Sequence, residues 1–281
     1  CGSSPGSGKS GRLMRPSSFS RRLATTGRFL LAFIYLLPLL WMLGASFHPQ
    51  GVALPTTLQL LPAGFTLQNY SRIFSLLPLV RFTLNSILVV LLAVPITLVT
   101  GSWAGLGMAR LPRRAQRRWI VLSLAVLMVP GIALWTSRFF LYKQLGLLNS
   151  IWALILPAFM GSSPFYVLMF YRAFRRIPLA IFEAALLDGA SVLQTWWRVA
   201  LPMARPTSIG VALLSLVLYW GDFMTPLLYL QSEKYYTLPV GLQSLQQLSK
   251  SDWGLMMAAA VWATLLPVTL FILAQPFLSR R

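Results

Sequence analysis

Residues Tyr171 to Pro206 read YRAFRRIPLAIFEAALLDGASVLQTWWRVALPMARP, and their local signals describe two short helices joined by a tight turn. Pro178 suits the first turn of a helix, where its missing N–H is not needed. Leu179, Phe182 and Leu186 then recur at helical spacing, and Gly189 sits where a helix stops in a left-handed conformation. Ser191, followed three residues later by Gln194, makes a capping box for a second helix. That helix is expected to run through Trp196 and Trp197 as far as Leu201-Pro202. Glu183 and Asp188 are two of only five acidic residues in the chain. They run against a positive local field, so each is expected to have a partner. From these residues alone the hairpin has two readings, a docking element or an amphipathic segment resting on a bilayer.

The bilayer enters because long uncharged stretches flank the hairpin. Of 281 residues, 57% are hydrophobic and 10% charged, against roughly 25% charged in a soluble domain. The mean hydropathy is +0.69. A hydrocarbon core of about 30 Å takes about 20 apolar residues in a helix. Working outward from the hairpin, the windows between charges are 144–171, 119–137, 82–109 and 29–47 on one side. On the other side they are 206–230 and 253–279. The expectation is an all-α membrane protein with six transmembrane helices over residues 29–281. The hairpin occupies a loop at 172–205, and residues 1–28 read as a disordered basic tail.

Charge predicts the orientation. Lys and Arg number 24 against 5 Asp and Glu, for a net +19. With the N-terminus in the cytoplasm, 18 of the 24 basic residues fall inside and 6 outside. Both termini and the 172–205 loop are therefore expected to be cytoplasmic. The basic excess reads as a topology signal and an attraction for anionic lipid heads, with no nucleic acid as partner. One Cys and one His exclude a disulfide framework and a metal site. Gly8-Lys9-Ser10 fails as a phosphate loop, because Ser3 stands where the first Gly belongs and no strand precedes it. Nothing arranges His48 and the five carboxylates as a catalytic centre. Prolines 38, 95, 130, 157, 164 and 267 lie within the windows, either as simple kinks or as joints of a pathway.

A family resemblance extends this reading. Glu183-Ala184-Ala185, Asp188-Gly189-Ala190, Leu201-Pro202 and Pro206 closely resemble, in spacing and in loop, the EAA loop of ABC importer permeases. The likeness runs from about Asn85 to Phe277. It takes in Pro130, Leu145-Gly146-Leu147, Pro164-Phe165, Trp220-Gly221-Asp222-Phe223, the run from Thr237 to Leu242, and Trp253-Gly254. Together these look like the MalG-like permeases of the carbohydrate-uptake class, with Gly221 where that class commonly has Asn.

What the resemblance implies is a MetI-like fold and a bacterial plasma-membrane importer of several subunits. This chain would pair with a second permease, two ATPase subunits and an extracytoplasmic solute-binding protein. Coupling to the ATPase would run through Glu183, Ala184, Ala185, Asp188, Gly189, Ala190, Leu201 and Pro202. ATP and Mg would belong to the ATPase, with no cofactor on this chain.

The solute is less legible. Asp222 lies about 24 Å along a helix from Pro206, and an acid at membrane depth is by default a functional-site hypothesis. Trp135, Tyr219, Trp220 and Phe223 either stack on sugar faces or anchor span ends at the interface. A sugar or sugar derivative is the leading reading, with glycerol phosphate or another non-sugar solute as the alternative. The rival class is an ion-coupled secondary transporter, which usually shows buried coupling charges and internal repeats.

Overall fold

The computed structural model describes residues 18–49, 64–249 and 252–279, and every regular element among them is helical. The first half holds α1 (Ser18–Ala45), α2 (Gln68–Leu76), α3 (Leu79–Arg110), α4 (Arg113–Met128) and α5 (Trp135–Gln144). Next come α6 (Trp152–Ile155), α7 (Pro164–Arg175), α8 (Leu179–Leu187), α9 (Val192–Thr195) and α10 (Leu201–Met203). The chain closes with α11 (Arg205–Trp220), α12 (Met224–Tyr229), α13 (Leu238–Leu248) and α14 (Trp253–Ser279).

Three stretches are long and apolar enough to cross a membrane unaided: Leu79–Arg110, Trp152–Arg175 and Trp253–Pro276. Two more qualify only as bent pairs. Arg113–Met128 meets Gly131–Gln144 at 86°, and Val192–Met203 meets Arg205–Trp220 at 84°. The apolar part of α1, Leu30–Ala45, is shorter.

The windows read from charge therefore divide where backbone chemistry requires it. Pro130 biases the residue before it away from the helix. Val129 is accordingly extended, at φ −72° and ψ 119°, so the window at 119–137 turns a corner. Gly146 is left-handed at φ +66° and ends the α5 segment, which delays the next helix to Trp152. The window at 206–230 splits at Gly221 between α11 and α12. Residues 1–17 of the expected tail lie outside the described residues. Its remainder is helical from Ser18, because Ser18 to Arg28 holds no proline and several good helix formers that feed directly into the apolar run.

The long α3 is the spine, packed along α7 and α11. At Gly105 a Cβ would stand 2.6 Å from the Phe170 Cβ and 2.8 Å from the Tyr171 backbone nitrogen, so α3 and α7 cross backbone to backbone. Close crossing on a small residue is how membrane helices gain packing without a hydrophobic drive. Polar side chains stitch the same helices. The Thr100 hydroxyl donates to the Ala158 carbonyl at 2.7 Å, and Thr97, Ser162 and Tyr219 share a hydroxyl chain. Trp220 Nε1 donates to Ala263 O at 2.9 Å, and Trp262 Nε1 to Thr83 Oγ1 at 3.0 Å, fastening α14. An ion pair of 2.8 Å between Arg72 and Asp252 joins α2 to the start of α14. Facing outward are large apolar side chains such as Leu91 and Leu273, each more than 60% exposed, as a lipid-facing surface requires.

Candidate coupling loop and pathway residues

The hairpin takes the form its sequence specifies. Pro178 precedes α8 in an extended conformation, and α8 ends at Leu187. Gly189 follows at φ +77°, a conformation costly for a residue with a Cβ. The Ser191 side chain accepts from the Gln194 N–H while Gln194 Oε1 accepts from the Ser191 N–H, completing the capping box. The second helix then widens into a π turn at Trp196–Ala200 before α10. At 84° to α11, this rod lies across the direction of the span it feeds.

Two side chains lock the hairpin to the spans. Phe182 is buried, with Cζ of Arg110 3.3 Å from its ring centroid, a close cation–π contact at the end of α3. Trp196 is buried too, its indole N–H donating to Ser102 Oγ at 3.1 Å and its ring edge-on to Trp103. Ala200 has no exposed surface, and packs with Phe182 into a cluster built on Tyr166, Phe170 and Phe174 of α7. The hairpin is thus an integral part of the bundle. Neither anchor belongs to the quoted motif, and the π turn has no signal in hydrophobic spacing. The small residues Gly101, Ser102 and Gly105 on α3 were the available hint that something large would seat there.

With those anchors inward, the motif residues face out. Glu183, Ala184, Asp188, Gly189 and Pro202 are exposed, and Ala185, Ala190 and Leu201 are half-buried. Glu183 feels the Arg110 charge without closing an ion pair to it. A Cβ on Gly189 would meet nothing within 4 Å. Leu187 (89% exposed) and Val192 (78%) stand beside them. The loop therefore presents two carboxylates among bare apolar side chains, a surface with no use inside the chain.

The pathway candidates are scattered by comparison. Tyr219 and Trp220 are both buried, and each spends its polar handle within the bundle, on Ser162 and on Ala263. Asp222 is half-buried, and its Oδ1 accepts from the Thr225 N–H at 3.1 Å in the first turn of α12. The Trp135 carbonyl accepts from the Tyr229 hydroxyl. Phe223 faces a cavity of about 440 Å³ beside Leu242, Trp253 and Met257, and Trp220 borders another of about 430 Å³ beside Thr83, Trp262 and Leu266. Among the described residues no group of His, Cys and acidic side chains could hold a metal.

A membrane bundle of this topology, with a folded and outward-facing EAA loop, has a clear match. Residues 98–281 fit the family model described as binding-protein-dependent transport system inner membrane component. The chain belongs to this family. It is a membrane subunit of an ABC importer, and ATP hydrolysis resides on a separate subunit. The trehalose/maltose transport system permease protein MalG of Thermococcus litoralis is 30% identical over 94% of this chain and 96% of its own length. The diacetylchitobiose uptake system permease protein NgcG of Streptomyces coelicolor is 30% identical over 90% of this chain and 85% of its own. In fold, the chain matches a subunit of a bacterial ABC transporter that imports the acidic polysaccharide alginate. The TM-score is 0.74 at 19% identity, over 94% of this chain and 99% of that one.

Proposed function

We propose that this chain is the permease subunit of a bacterial plasma-membrane importer for a sugar or sugar derivative, with both termini and the hairpin in the cytoplasm. It pairs with a second permease, and two ATPase subunits dock on the hairpins. An external binding protein delivers the solute. The observation that carries this reading is the loop itself. Glu183 and Asp188 sit exposed on a hairpin whose inward face is fixed by Phe182 and Trp196, so a push on the outer face is passed to α3 and α7. A desolvated carboxylate against basic groups of a partner forms a stronger contact than a surface ion pair. Glu183 is the main charge offered to the ATPase, with Ala184, Ala185 and Ala190 letting its backbone approach closely. Gly189 sets the angle between the helices, and Leu201 and Pro202 hand the motion to α11.

Asp222 and the aromatic residues Trp135, Tyr219, Trp220 and Phe223 are the candidates for the outer part of this route. Phe223 and Trp220 each border open space, of about 440 and 430 Å³. The sugar assignment is supported by relatives that carry trehalose, maltose and diacetylchitobiose in their names. The test is uptake by proteoliposomes holding this chain with its co-expressed partners. Sugar accumulation that stops without ATP is expected; accumulation driven by an ion gradient alone points to the secondary-transporter class.

A further inference from the structure

The face of α4 turned away from the bundle carries a groove of about 550 Å³ that the coupling route does not use. Arg114, Arg117, Arg118, Val121, Leu122 and Ala125 line it. At 3.6 residues per turn these six positions share one arc of about 140°. The buried and half-buried positions of α4, Ala115, Gln116, Ile120 and Ser123, occupy the opposite arc. Gln116 fixes that orientation, since its amide donates to the Ala109 and Leu111 carbonyls and accepts from the Tyr171 hydroxyl. Among the described residues none of the three groove arginines has a carboxylate partner.

Three guanidiniums within two turns leave a concentrated positive charge at one end of the groove. The apolar strip continues from them along the same face. From Arg114 to Ala125 the helix rises about 16 Å, the depth of one leaflet of a hydrocarbon core about 30 Å thick. A ligand matching both ends carries an anion at its head and one leaflet's length of hydrocarbon behind it. A small soluble anion leaves the strip bare, and a zwitterionic lipid brings a cation into the arginine cluster. Guanidinium forks match phosphate oxygens two at a time.

We propose that this α4 groove is a binding site for an anionic phospholipid, with its phosphate among Arg114, Arg117 and Arg118 and an acyl chain along Val121, Leu122 and Ala125. The proposal needs only that α4 meets the bilayer and stands apart from the identity of the solute. It differs from a general attraction of basic loops in naming one face of one helix.

The test uses the assembled importer in detergent, offered phosphatidylglycerol and phosphatidylcholine at equal concentration, with retained lipid read by native mass spectrometry. With three basic residues acting on one headgroup, the wild type is expected to prefer phosphatidylglycerol by about tenfold or more. Arg114→Gln/Arg117→Gln/Arg118→Gln should bring the two lipids to parity. Arg172→Gln/Arg175→Gln/Arg176→Gln, which removes equal charge outside the groove, should keep the preference. Val121→Trp fills the strip with every charge in place and should also lower phosphatidylglycerol retention, so it decides the matter if the triple variant fails to assemble. Equal retention of both lipids by the wild type overturns the proposal, as does equal loss in the control variant. Displacement by inorganic phosphate, or cross-linking of Leu122→Cys to a partner chain in place of lipid, overturns it as well.

Discussion

Phe182 does more to seat the coupling hairpin than any acidic residue on it. The ring is 5% exposed, covered on one side by the Arg110 guanidinium and on the other by the α7 aromatic cluster. Truncating a buried aromatic side chain costs about 3 kcal/mol, and here it also removes the ring that the Arg110 guanidinium covers. Phe182→Ala is expected to lower the thermal midpoint of the purified complex and to weaken ATPase retention, measured by scanning fluorimetry and co-purification. Gly189 is a different case. Its φ of +77° costs about 1–2 kcal/mol for a residue with a Cβ, yet an added Cβ meets no neighbour inside the chain. Gly189→Val should therefore insert and assemble but fail to couple hydrolysis to uptake. Gly189→Asn, which tolerates the left-handed region, should keep more of that coupling. Glu183 is exposed, so Glu183→Lys should leave folding intact and reduce ATPase co-purification by repulsion. A reversed charge on the ATPase should rescue it, and should not rescue Gly189→Val. Normal uptake by both variants at normal expression would sink the coupling role of the loop.

Among the helices, the crossing of α3 and α7 at Gly105 is the tightest constraint on the bundle. A side chain there would meet the α7 backbone, which cannot step aside as a flexible side chain can. Gly105→Val is expected to destabilise the chain by several times the cost of Gly107→Val on the same helix, where a Cβ has open space. Comparing the folded yields of the two variants in mild detergent checks this; equal yields refute the close crossing. The same contrast explains what was legible beforehand. The hairpin could be read because its signals are local: a proline, a capping box and a glycine stop each act within four residues. Arg110 over Phe182 and Trp196 on Ser102 join residues 72 and 94 positions apart, and no local pattern encodes them. Tyr219 and Trp220 were candidates for stacking on a sugar because aromatic residues near a span end have two uses. Tertiary packing buries both, though Trp220 still borders a cavity of about 430 Å³ and Phe223 another of about 440 Å³. The bend at Pro130 was marked by residue type and the break at Gly221 was not, because apolar content alone cannot say whether a window stays straight.

At the scale of the whole molecule, charge asymmetry and the fold make one joint claim about which side of the membrane the hairpin occupies. Of the 24 basic residues, 18 lie on segments that share a side with the hairpin in the six-span scheme, and short-loop Lys and Arg bias orientation strongly. Between the hairpin and the α12–α13 connection stands α11, whose 16 residues extend about 24 Å. With α11 upright, Ser191 and Gln231 must then lie on opposite sides. Both positions are exposed. Gln231 contributes only its backbone N–H to a contact with Asn149 Oδ1, so a cysteine side chain there keeps the local structure. Because Cys1 is the one native cysteine, Cys1→Ser gives a clean background for Ser191→Cys and Gln231→Cys. An impermeant maleimide should label Gln231→Cys in intact spheroplasts and Ser191→Cys only in inverted vesicles. Labelling of both in intact spheroplasts would leave an odd number of crossings missing between them. The hairpin would then be unable to reach a cytosolic ATPase, and the coupling route through Phe182 and Trp196 would have nothing to transmit.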